Sequence, residues 1–150
     1  GTTYLYRLAF TGDVASVNLR ENVNLMELEI DGGSFTGIDL SANTWLTKLR
    51  IENSQLASVD LGTLTHLREL RLANNKLNAL DVWSNRELYY LSCGGNPMIS
   101  DRTAMTELAQ TLPSVSDMAR IAIGDSSASR NAYYWISSIC DSKGWRVDLY

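Results

Sequence analysis

Apolar residues recur along the first hundred positions in a pattern that neither a helix nor a single strand produces. Residues 66 to 82, HLRELRLANNKLNALDV, place leucine at 67, 70, 72, 77 and 80, with Val82 behind them and Asn75 between the third and fourth. Leu70 and Leu72 alternate with polar neighbours as one face of a strand does, and the wider gaps let the chain turn and return along an opposite wall. The pattern repeats at a fixed step. Leu25, Leu46, Leu67 and Leu88 stand 21 residues apart, as do Leu28, Leu49, Leu70 and Leu91, and Ile30, Ile51, Leu72 and Cys93. Phe35, Leu56, Leu77 and Met98 follow, then the pairs Ile38/Leu40, Val59/Leu61 and Leu80/Val82. A degenerate first copy supplies Leu5, Leu8, Phe10, Val14, Val17 and Leu19, in register after one deletion near Gly12. Residues 1–99 thus hold five units. None can bury its leucines alone, so the pattern requires units stacked side by side.

The period fails after Met98, where a stack must close its open end. SDRTAMTELAQTLP reads as a helix with Ser100 or Asp101 as N-cap, Ala104, Met105, Leu108 and Leu112 on one face, and Pro113 as its stop. ARIAIG alternates as a strand. SSASRNAYYWISSICDSKG reads as a second helix burying Ala132, Trp135, Ile136, Ile139 and Cys140 and ended by Gly144, and WRVDLY alternates again. Strand, helix, strand, helix, strand is the order of parallel crossovers. The expectation is one domain over 1–150, in which residues 100–150 form a C-terminal βα cap that continues the sheet of the repeats.

The unit L-x-x-L-x-L-x-x-N-x-L resembles a leucine-rich repeat, and Leu67, Leu70, Leu72, Asn75 and Leu77 match it position for position. The resemblance covers about the first two-thirds of the chain, and its 21-residue step with the second apolar pairs IDL, VDL and LDV is most similar to secreted or surface bacterial proteins of that family. It implies an α/β fold: a right-handed curved solenoid with one parallel sheet of about seven strands, an extended outer wall in the repeats and two helices in the cap. It also implies an extracellular or cell-surface setting, and binding or adhesion rather than turnover. Gly33 and Ser54 replace the asparagine in two units, so the inner asparagine ladder should be partial, with water or backbone satisfying the rest.

Composition narrows the function further. A chain of 150 residues suffices for a core without a metal or disulfide staple. A net charge of −4 with mixed signs gives no electrostatic footprint for nucleic acid or an anionic membrane. No run approaches the roughly 18 apolar residues of a membrane span, and GTTYLYRLAF lacks the basic start and apolar core of a signal peptide. Gly1 reads as a processing or cloning scar, so an export signal would already be gone. The strand near Tyr4 to Phe10 has no cap, which makes that open edge a candidate contact for an upstream segment or a second copy.

Catalytic and metal chemistry find little support. Asp39, Asp60 and Asp81 recur at one phase, with Asn18 in the first copy, but no second carboxylate column completes the six or more oxygens a hard cation takes. They read instead as turn caps. IAIGDSS, residues 121 to 127, resembles the strand–Gly-Asp-Ser–helix block of GDS-type serine esterases and offers Ser126 as nucleophile. Those enzymes need a downstream histidine, and the one histidine, His66, lies upstream. Cys93 and Cys140 fit no zinc spacing and read as apolar core thiols, pairing only if the cap folds one over the other. No phosphate-cradling glycine loop is present, and no cofactor is implied.

Function then falls to the residues between the strand leucines, which point to the concave side. One column reads Tyr6, Met26, Thr47, Arg68 and Tyr89; the next Arg7, Glu27, Lys48, Glu69 and Tyr90; the third Ala9, Glu29, Arg50, Arg71 and Ser92. Tyrosine and arginine are the side chains most enriched at recognition hot spots. The expected partner-binding set is therefore Tyr6, Arg7, Glu27, Lys48, Arg50, Arg68, Glu69, Arg71, Tyr89 and Tyr90, with a protein as partner. Trp45 and Trp83 lie off the strands, as packing residues or as a lateral surface for glycan.

Overall fold

A computed structural model describes residues 5–150. Strands β1 (Arg7–Val14), β2 (Glu27–Gly33), β3 (Lys48–Ser54), β4 (Glu69–Arg71), β5 (Tyr90–Ser92), β6 (Ala119–Ala122) and β7 (Trp145–Asp148) form one sheet in chain order. All neighbours are parallel. Leu8, Leu28, Leu49, Leu70, Leu91, Ile121 and Val147 are successive register partners. The five inner members are fully buried, while Leu8 and Val147 are half-buried because each has a neighbour on one side only. Each inner leucine removed from water contributes roughly 2 kcal/mol, which is why stacking stabilises units that could not fold singly. Tyr4 lies outside the described residues. The register of β1 against β2 shifts between Thr11 and Val14, at the deletion near Gly12.

Left-handed residues turn the chain out of successive strands: Gly32, Asn53, Asn74 and Gly95 have φ of 90°, 54°, 57° and 72°. Glycine and asparagine tolerate this region where a branched side chain would not. The next residue along is the ladder position. Asn75 Nδ2 donates to Ile51 O and Leu72 O at 2.7 and 3.1 Å, and its Oδ1 accepts from Leu56 N at 3.1 Å. Asn96 repeats these contacts one unit later, with Leu72 O, Cys93 O and Leu77 N. The ladder is partial for stated reasons: a Cβ on Gly33 would lie 2.5 Å from the Phe35 ring, and Ser54 turns its hydroxyl to Glu52 O at 3.0 Å.

The aspartates cap turns. Asn18, Asp39, Asp60 and Asp81 each accept from the backbone N–H two residues on, at 3.2, 3.1, 2.8 and 2.8 Å. A second inner asparagine set emerges only in the structure. Asn43 donates to Leu19 O and Asn22 O, and Asn85 to Leu61 O and Leu64 O, all between 2.8 and 3.1 Å. Among the described residues, Asn43 Oδ1 and Asn85 Oδ1 have no hydrogen-bond partner.

In the cap, a 3₁₀ turn (Pro97–Ser100) leads into α1 (Arg102–Thr111), and α2 (Ser127–Ser142) follows β6. Asp101 is the N-cap of α1, accepting from Thr103 N and Ala104 N. Burial on α2 differs from the expectation. Ser129, Ala132, Ile136 and Cys140 form the buried stripe, and Trp135 and Ile139 at its edge are half-buried; Ser129 Oγ donates to Ile123 O at 2.7 Å. Trp145 is buried, donating from Nε1 to Pro113 O, just past α1, at 2.8 Å. Cys93 and Cys140 are both buried free thiols.

Candidate interaction surface

Alternation places every second residue of each strand on the side of the sheet away from the core. Arg7, Glu27, Lys48, Glu69 and Tyr90 are register partners in succession, and so are Ala9, Glu29, Arg50, Arg71 and Ser92. The first column continues just before the strands: Tyr6 O accepts from Met26 N and Glu27 N, Met26 O from Thr47 N and Lys48 N, and Arg68 O from Tyr89 N and Tyr90 N. Arg7, Glu27, Lys48, Arg50, Glu69, Arg71 and Tyr90 therefore share the side away from the core, while Tyr6, Arg68 and Tyr89 stand one residue before their strands and Arg68 turns to Glu87 at 2.8 Å. They do not form one cluster. Tyr6 is four strand spacings, roughly 19 Å, from Tyr89, so Tyr89 and Tyr90 form an aromatic group without it.

Charge is distributed unevenly over this face. Glu29 is shared by Arg7 at 3.1 Å, Lys48 at 3.1 Å and Arg50 at 3.9 Å. The Lys48 hydrogen bond, then the surrounding cations, hold its carboxyl below the usual range against a partial desolvation. Arg50 also meets Asp31 at 3.1 Å and Glu52 at 2.7 Å. On β4, Arg71 bonds Glu69 at 2.6 Å and lies 4.8 Å from the centre of the Tyr90 ring. Burial and the Tyr150 hydroxyl, 3.4 Å away, push the Tyr90 phenol up to about 12.

Five residues of this face were missed by the sequence reading. Register carries the columns into the cap, where Tyr90 pairs with Arg120 and Arg120 with Arg146, while Ser92 meets Ala122 and Ala122 meets Asp148. Tyr150 follows and reaches Tyr90. The alternation of ARIAIG and WRVDLY was the available signal, because strands of one sheet extend its surface columns as well as its core.

Trp45 and Trp83 lie on the surface, outside the core. Trp45 and Trp83 are 56% and 59% exposed; Trp45 stacks on His66 with ring centres 5.2 Å apart, and Arg86 lies 4.2 Å over Trp83. His66 Nδ1 lies 3.2 Å from Glu87 Oε1 at the end where strands begin, whereas Ser126 stands beyond the end of β6. Ser126 Oγ accepts from Ser129 N at 3.1 Å and lies 2.9 Å from Ser129 Oγ. Ser129 Oγ donates to Ile123 O, so the Ser126 proton goes to Ser129. That serine is the N-cap of α2.

Among solved structures, the functional domain of InlJ from Listeria monocytogenes, described as including a cysteine ladder, matches with a TM-score of 0.66 and 21% identity. The fold is a leucine-rich-repeat-like solenoid. The match covers 81% of this chain and 25% of that one, so the chain spans about a quarter of that protein's length. No protein-family model and no curated protein matches the sequence. Of the two cysteines here, Cys93 follows β5 at the repeat phase that Ile30, Ile51 and Leu72 fill in the other units, and Cys140 is on α2.

Proposed function

We propose that this chain is a non-catalytic recognition module that binds a protein partner through the concave face of its sheet. The observation that carries the reading is the register that sets Glu69 beside Tyr90 on adjoining strands of one face, with Arg71 4.8 Å from the centre of the Tyr90 ring. Rigid aromatic and guanidinium groups on a stacked scaffold lose little entropy on binding. The fold of the InlJ domain supports this by analogy, as does the 21-residue step, and both favour an extracellular or surface setting. The bonding of Ser126 and its separation from His66 weigh against the esterase alternative.

The test is to select a partner from surface or secreted fractions and compare three proteins. Arg71→Ala with Tyr90→Ala should weaken binding at least about 30-fold, as loss of two central contacts does. Trp83→Ala, on the outer side, should leave affinity within about twofold. Loss on Trp83→Ala with no change in the double variant would move the function to the lateral aromatics and to glycan.

A further inference from the structure

The cations of the sheet face differ in how much of their charge is already answered. On β1–β3, Arg7, Lys48 and Arg50 face Glu27, Glu29, Asp31 and Glu52, and each cation has at least one carboxylate within 3.1 Å. On β6 and β7, Arg120 and Arg146 share one carboxylate between them. Asp148 is 8% exposed and stands 3.0 Å from Arg146 Nε and 3.7 Å from Arg120 Nη1. Its Oδ2 has no hydrogen-bond partner. The two guanidiniums are 53% and 60% exposed, and among the described residues no other carboxylate pairs with them.

Resting on the concave-face reading, we propose that the cap end of that face is the anchoring site and that it takes an acidic peptide segment of the partner. Asp148 is too buried to turn outward and neutralise both arginines, so it orients them and leaves most of their ten N–H donors for a ligand. Arg120 and Arg146 are register partners on neighbouring strands, hence roughly 4.8 Å apart at the backbone. Two carboxylates of one short acidic run can meet them. Tyr90 is the register partner of Arg120, and Tyr150 reaches it, so ring surface adjoins the guanidiniums and can cover the peptide's apolar atoms. Asp117 and Asp141 line one cleft together with Arg146. A nucleic acid or anionic membrane would need a broader basic field than two exposed arginines on a chain of net charge −4.

The probe is a fluorescent decaglutamate peptide, titrated into the intact chain by anisotropy at low and at physiological salt. Binding should weaken as salt rises. Arg120→Gln with Arg146→Gln should lower affinity about tenfold or more, while Arg102→Gln with Arg130→Gln, exposed on α1 and α2, should change it less than about twofold. Circular dichroism confirms that each variant retains the fold. No binding by the wild type, or equal losses in the two double variants, overturns the assignment. So does heparin bound as tightly through the same arginines, which would mark a general polyanion site. These failures leave the broader reading separately testable, because Arg71→Ala with Tyr90→Ala is scored against the natural partner.

Discussion

Two buried asparagines show how one residue type serves different physical ends. Asn75 answers a donor and several acceptors of the turn, and Leu56 N, outside any strand, depends on its Oδ1. Asn85 donates to Leu61 O and Leu64 O, but both carbonyls already accept a backbone N–H, and its own oxygen is unpaired. Leu64 fills the same phase one unit earlier and is fully buried. Asn75→Leu should therefore destabilise the chain by about 3 kcal/mol, whereas Asn85→Leu should cost less than about 1 kcal/mol. Urea unfolding of the two variants reads this contrast, and equal losses would contradict it. Asn75 was legible because it belongs to the repeat consensus. Asn22, Asn43 and Asn85 also recur at the step of 21, but Leu64 breaks the series and hid it.

At the scale of the element, the turn that ends each strand sets where the next one begins. Gly95 takes φ of 72° after β5, and a Cβ there would collide with Asn74 Oδ1. Gly95→Ala should cost about 2 kcal/mol in urea unfolding, from strain and from displacing that amide. Gly37→Ala, where a methyl meets open space, should be neutral or stabilise by up to about 1 kcal/mol. A neutral Gly95→Ala would mean that the turn has a second accessible geometry. The leucine step revealed the strands and their order, since burial must repeat wherever coils stack. It did not reveal that Trp135 and Ile139 on α2 are half-buried, because helical periodicity gives the inner face without saying how wide the covering sheet is. Side-chain pairing on the face was equally hidden: spacing places Arg50 beside Glu29, but not its closer contacts with Asp31 and Glu52.

For the whole molecule, the sealed interior makes a prediction about alkali. Burial pushes the Cys93 and Cys140 thiols up to about 12, and Tyr90 also reaches about 12. In the unfolded chain these groups lose protons from their ordinary values of 9.0 and 10.0 upward. The unfolded state therefore binds fewer protons than the fold above pH 9, and stability, full below that pH, should decline as pH rises toward 12. Both thiols should also resist a disulfide reagent at pH 8 until denaturant is added, and rapid labelling of the native chain would contradict the packing. The side of the sheet away from the core is the exposed counterpart of that interior, and its assignment as the working surface is the central claim. Hydroxyl-radical footprinting of the chain with and without its bound partner tests it most directly. The account predicts protection of Tyr89, Tyr90 and Tyr150 while Trp83 and Tyr134 stay reactive; protection of Trp83 and Tyr134 with the three sheet-face tyrosines unchanged would contradict it.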